Sequence, residues 1–147
     1  MSRHYFEDFN VGDMFETASY TLSREEVIEF ARMYDPQPFH LDDAAAADSF
    51  FGRLVASGWQ TAAITMKLIV ESSAFEGGVI GAGVDELRWT APVAPGDTLR
   101  VTGEVVEKLQ RPGKKTRGIV RFRMETSNQE GTIVMTEFTN CVVDMRP

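Results

Sequence analysis

Apolar residues recur with helical spacing early in the chain and alternate with polar ones late in it. Val27, Phe30, Ala31 and Tyr34 fall at i, i+3, i+4 and i+7 with Ile28 beside them, which defines one face of a helix. Ser23 and Glu26 have the spacing of a capping box that would open this helix. Pro36 disfavours helical geometry at Asp35, so the helix is predicted to stop there. "DDAAAADSFFG" predicts a short helix capped by Asp42 or Asp43. From Gly58 to Ser72 the pattern changes: Ala62, Ala63, Ile64, Met66, Leu68, Ile69 and Val70 lie on nearly all sides, as expected of a helix surrounded by protein.

Strand patterns bracket these helices. "MFETASYTL" carries strand formers before Ser23. Beyond the long helix, Leu99, Val101, Gly103 and Val105 alternate with Thr98, Arg100, Thr102 and Glu104. Gly118, Val120, Phe122 and Met124 alternate in turn with Arg117, Ile119, Arg121 and Arg123, so each strand has one buried and one wet face. Turns are predicted at Pro95-Gly96-Asp97, from Arg111 to Lys114, and from Asn128 to Gly131, with a last strand after that. A helical first half followed by consecutive strands predicts an α+β fold with an antiparallel sheet. A curved sheet wrapped around the one long central helix leaves that helix's N-terminus, at Gly58, beside the preceding loops. No repeat or linker divides the 147 residues, so a single domain spanning 1–147 is expected.

Composition narrows the classes. An apolar fraction of 43% with 25% charged residues is that of a soluble globular protein. A net charge of -7 speaks against nucleic acid or anionic membranes as partners. Cys141, the single cysteine, has no partner for an internal disulfide, and "MSRHYFEDF" lacks the apolar run of a signal peptide. A cytoplasmic location is therefore expected. The stretch from Ala62 to Val70 is interrupted by Thr65 and Lys67 and is too short to span a bilayer.

The densest candidate chemistry lies in "YDPQPFHLDD", residues 34–43. A carboxylate and an imidazole, Asp35 and His40, are the usual pair for moving protons near neutral pH, and Pro36 and Pro38 restrict the backbone between them. The plainer reading is that Asp35 ends a helix, Asp42 caps the next and His40 is hydrogen-bonded structure; spacing alone favours it. No metal is expected, because His4 and His40 are far apart and no Cys/His cluster or His-Glu-x-x-His pattern exists. Ser57 is not in a Gly-x-Ser-x-Gly elbow, and the glycines of "GVIGAGVD" precede strand formers instead of opening a helix. Gly58 would present a backbone N–H at the positive end of the long helix, suited to a carbonyl oxygen, or is simply a small residue at a crowded entrance. Trp59 reads as core or pocket wall. Lys114, Lys115, Arg117, Arg121 and Arg123 concentrate positive charge, either to receive phosphates or as the solvated face of a strand, and alternation favours the latter.

These segments together resemble the MaoC-like acyl dehydratases, near the (R)-specific enoyl-CoA hydratases. That family's motif reads Asp, any residue, Asn, Pro, apolar, His, any residue, Asp or Asn; here it is Asp35-Pro36-Gln37-Pro38-Phe39-His40-Leu41-Asp42. "FFGRLVASG" and "LRWTAPVAPGDTL" resemble the family's approach to the central helix and its strand-turn-strand segment. The resemblance implies the hotdog fold and reversible addition of water to a 2-enoyl-CoA thioester, with no cofactor beyond the coenzyme A of the substrate. Catalytic roles carry over to Asp35, His40 and, as oxyanion donor, Gly58. Tyr34 replaces the usual glycine before the acid, Gln37 the usual asparagine and Ser57 a frequent histidine. These three and Trp59 are the expected substrate-binding positions. The resemblance also implies a homodimer or larger homo-oligomer. Two alternatives belong to the same fold: a thioesterase, for which the central helix offers only Glu71 as acid, and a noncatalytic acyl-CoA-binding module.

Overall fold

The computed structural model describes residues 4–110, 113 and 116–147; Arg111, Pro112, Lys114 and Lys115 of the expected turn and basic run lie outside the described residues. Five strands, β1 (Met14–Thr21), β2 (Ile80–Trp89), β3 (Thr98–Gln110), β4 (Arg117–Ser127) and β5 (Ile133–Asp144), form one sheet. Its order is β1-β3-β4-β5-β2 and every pairing is antiparallel. The predicted alternation sets the faces: Leu99, Val101 and Val105 of β3 and Val120, Phe122 and Met124 of β4 are buried.

The helices are α1 (Arg24–Tyr34), the short turns α2 (Pro38–Leu41) and α3 (Asp43–Ala47), and the long helix α4 (Gly58–Glu71), which lies against β1 and β3 of the sheet. The capping box forms as read. Ser23 Oγ accepts the Glu26 N–H at 3.1 Å, and the Glu26 carboxylate accepts the Ser23 N–H at 3.4 Å. Asp42, not Asp43, caps α3 by accepting the Ala45 N–H at 3.0 Å.

The core is built where α4 meets the strands. Phe122, fully buried, makes edge-to-face contacts with Phe9, Phe15 and Phe75 at 5.6, 5.9 and 5.2 Å. Gly103 and Gly118 interrupt their strands because a Cβ at either would overlap the ring of Phe15 or Phe6. Polar groups also enter this interior. Thr65 and Thr126, both fully buried, share a hydroxyl hydrogen bond of 2.7 Å between α4 and β4. Glu137 of β5 is only 6% exposed, and burial raises its pKa. Burial likewise pushes the Cys141 thiol up to about 11.

One expectation fails here. α4 is covered on one side only: Ile64, Thr65, Leu68 and Ile69 are buried, whereas Trp59, Ala63, Met66 and Val70 are exposed. A single curved layer of strands can cover only one face of a helix, so the apolar residues on the other side form an open stripe within the protomer. β2 is exposed along almost its whole length and occupies an edge of the sheet.

Candidate active site

The site is assembled at the end of α1. Asp35 caps that helix: its N–H still reaches the Ala31 carbonyl at 2.9 Å, but its own backbone has left the helical region at φ -152, ψ 68. Pro36 forbids continuation, and Pro38, at the first position of α2, begins a new helical turn. The stretch between the two residues is thus a short loop and one turn of helix. That turn swings His40 back toward the acid, bringing His40 Nε2 to 3.3 Å from Asp35 Oδ2.

His40 is 5% exposed and its Nδ1 lies 2.7 Å from the Val55 carbonyl oxygen. A carbonyl can only accept, so Nδ1 carries a proton and donates it, and Nε2 is the nitrogen turned to Asp35. The ring is held further because the Val55 N–H donates to the Phe39 carbonyl at 3.2 Å and the Ala56 N–H to the Val93 carbonyl at 2.8 Å. Segment 55–56 therefore ties α2 to the connection between β2 and β3.

Both oxygens of Asp35 are engaged by neutral donors. Gln37 Nε2 donates to Oδ1 at 2.7 Å and Ser57 Oγ donates to Oδ2 at 2.7 Å. Burial alone would raise the carboxyl pKa, but the bonds from Ser57 and Gln37 and the adjacent imidazole outweigh it, so Asp35 titrates below its ordinary value. Ser57 also caps α4, accepting the Trp59 N–H at 3.2 Å. A single hydroxyl thus links the helix N-terminus to the acid.

In front of this pair opens a cavity of about 500 Å³, lined by Asp35, His40, Gln37 and Gly58 among apolar and aromatic walls. Phe39 and Phe51 meet at 5.3 Å with their planes tilted by 56°, and Phe50, 98% exposed, stands at the rim against Phe51. Trp59 and Trp89 meet edge to face at 5.1 Å, and Trp89 Nε1 donates to the Gly58 carbonyl at 2.8 Å. Among the described residues no protein acceptor takes the Gly58 N–H, the first of the helix.

The structure therefore brings Asp35, His40, Gln37, Gly58 and Trp59 to one cavity. Two expected substrate-binding residues are placed otherwise. Ser57 is fully buried, and its hydroxyl bonds the acid and the first turn of α4. Tyr34 ends α1 with its ring against Phe30 at 5.1 Å, in a separate groove, because the chain reverses at Asp35 and leaves Tyr34 outside the turn. Trp89 joins the site without any sequence signal for it. It sits within "LRWTAPVAPGDTL", but nothing in a strand pattern shows that an edge tryptophan reaches a helix terminus.

The other candidates stand elsewhere. Glu71 pairs with Lys67 at 2.5 Å at the far end of α4. Arg117, Arg121 and Arg123 pair with Asp144, Asp85 and Glu125 at 2.9, 2.5 and 2.6 Å, the arrangement of a solvated strand face. No group of three His, Cys, Asp or Glu able to hold a metal exists among the described residues, and no helix described is long and apolar enough to cross a membrane.

A five-stranded antiparallel sheet packed on one long helix is the α+β architecture of the hotdog fold, and here it carries an acid–imidazole pair near the helix N-terminus. The family described as "MaoC like domain" matches residues 8–128, and the chain belongs to this MaoC-like family. A MaoC-like dehydratase from Rhodospirillum rubrum superposes with a TM-score of 0.93 at 43% identity, covering 98% of this chain and 99% of the other. The (R)-hydratase PhaJ1 from Pseudomonas aeruginosa gives a TM-score of 0.77 at 29% identity over 97% of this chain and 86% of its own. A 3-hydroxybutyryl-CoA dehydratase of Methylorubrum extorquens is 34% identical over 106 residues, 71% of this chain and 66% of that enzyme. These likenesses support a hydratase or dehydratase activity.

Proposed function

We propose that the protein adds water reversibly across the double bond of a 2-enoyl-CoA thioester, giving a 3-hydroxyacyl-CoA. The observation that carries this reading is the 3.3 Å approach of Asp35 Oδ2 and His40 Nε2 on the wall of an aromatic cavity that also contains the free end of α4. Hydration needs a base for the water, a proton for C2 and a donor for the charge developing on the thioester oxygen.

Water bound between Oδ2 and Nε2 gives one proton to the pair as its oxygen attacks C3. The C2=C3 π electrons move toward the carbonyl, and the thioester oxygen becomes enolate-like. The Gly58 N–H donates to that oxygen, aided by the partial positive charge of the helix N-terminus. The pair then returns a proton to C2, so the net addition is OH at C3 and H at C2. Gln37 and Ser57 keep the carboxylate in one orientation throughout.

The active unit is proposed to be a homodimer. β2 offers an unpaired edge bearing Ile80 and Val84, and the open stripe of α4 carries Met66 and Val70. A second copy would bury both. Sedimentation at micromolar concentration should report twice the 16.4 kDa protomer mass or a multiple of it.

The test of function is a screen of short, medium, branched and carboxylated enoyl-CoAs, followed by loss of enoyl absorbance. Absorbance loss without free thiol supports hydration; thiol release would instead indicate hydrolysis.

A further inference from the structure

Trp89 is an unusual residue to find on an edge strand. It is 45% exposed, yet its only polar atom is committed to a backbone carbonyl in another element, that of Gly58, at 2.8 Å. Its ring also lies flat against the glycine: a Cβ at Gly58 would come 2.7 Å from Nε1 and overlap the fused carbons. Trp59 meets the same indole edge to face at 5.1 Å with the planes 82° apart.

We infer that Trp89 is a positioning residue for the Gly58 N–H, an inference that rests on the hydration reading above. Glycine at the first position of a helix has more backbone freedom than any other residue, and an oxyanion donor serves only when it is already aimed at the place where charge develops. The two peptide groups flanking Gly58 must therefore be fixed from outside. Trp89 fixes the following one through its N–H bond to the carbonyl. Ser57 Oγ holds the other end of that same peptide by taking the Trp59 N–H at 3.2 Å, and the preceding peptide, which bears the Gly58 N–H, is held at its Ser57 carbonyl by the Gln60 and Thr61 N–H groups at 3.0 and 3.2 Å. The Gly58 N–H has no protein acceptor among the described residues, and Gly58 lines the cavity.

This arrangement also explains the glycine. Any side chain at position 58 would displace the indole that aims its peptide. The requirement is steric and local, set by β2 and not by the φ of the glycine.

Two measurements test the inference. Trp89→Phe keeps an aromatic ring and removes the N–H. It is expected to lower kcat for crotonyl-CoA hydration about tenfold while KM stays within about twofold, since misaimed groups cost rate more than binding. An unchanged kcat, or a loss carried mainly by KM, would overturn the positioning role and leave Trp89 a wall of the pocket. Independently, Gly58→Ala is expected to lower Tm clearly in the wild-type background and much less in a Trp89→Ala background. Equal losses in both, or no loss in the wild type, would show that the ring does not sit on the glycine. A wild-type protein that turns over no enoyl-CoA would sink the hydration reading itself, and the Gly58→Ala melts would still decide the contact.

Discussion

Ser57 Oγ lies 2.7 Å from Asp35 Oδ2 and 3.2 Å from the Trp59 nitrogen, so the acid at the end of α1 is tied by one hydroxyl to the first turn of α4. Because the amide can only donate and the ionised carboxylate can only accept, the direction of the hydroxyl is fixed.

Ser57→Ala should therefore act twice. Loss of the helix cap is expected to cost about 0.5–2 kcal/mol of stability. Loss of the donor to Asp35 lets the carboxyl pKa rise back toward its ordinary value of 3.8. The acid limb of the kcat/KM profile should move to higher pH, which a pH series on wild type and variant would show. An acid limb that does not move would mean that Ser57 has no hold on the carboxylate.

Asp35→Asn and His40→Ala each remove one member of the 3.3 Å pair. Each should lower kcat for crotonyl-CoA hydration by about 10²–10⁴-fold. Far-UV circular dichroism should be unchanged in both. His40→Ala should also melt lower, because the Val55 carbonyl loses a buried donor, at a cost of about 1–3 kcal/mol. Wild-type rates in both variants would refute the assignment.

Glu137 predicts a pH dependence of stability. Burial holds its folded pKa above the ordinary 4.5, so between those two values the folded state binds more protons than the unfolded one. Stability is then greatest below the unfolded value and declines as pH rises through the folded one. Glu137→Gln should remove this decline and be more stable than wild type at pH 8, as read by denaturant titrations at pH 5 and pH 8.

The Thr65–Thr126 hydroxyl pair joins helix to sheet inside the core. Thr65→Val should destabilise by about 1–3 kcal/mol because it strands the Thr126 hydroxyl without a partner. The double variant with Thr126→Val should recover most of that loss, since replacing both members leaves nothing unpaired. Additive losses in a denaturant cycle would contradict the contact.

How far these features were legible differs by residue. Local chemistry was read directly. Ser23 and Glu26 formed their box, Pro36 ended α1 at Asp35, and Val101, Val105, Val120 and Phe122 faced inward as their alternation required. The convergence of Asp35 and His40 was not settled by their spacing, because it depends on α2, a single turn started by Pro38 and anchored by the distant Val55 carbonyl. The part Ser57 plays at the acid could not be read from its place beside Gly58, because its hydroxyl bonds Asp35, 22 residues away in sequence. α4 was misread as buried all round because hydropathy records which residues are apolar, and not whether one chain supplies enough surface to cover them. Trp89 lay hidden for the related reason that its partner is a backbone atom 31 residues away in sequence.

Segment 55–56, hydrogen-bonded to Phe39, His40 and Val93, belongs to a cavity whose parts differ in their freedom to change. Asp35 and His40 are held by bonds to Gln37, Ser57 and the Val55 carbonyl, so most replacements there would disturb several partners at once. Phe50, almost wholly in solvent at the rim, answers to none of those braces. Variation among descendants of this chain would thus accumulate at the mouth while the reacting groups stay put. New acyl preferences could be acquired by changing a few rim residues, with the reaction itself inherited intact.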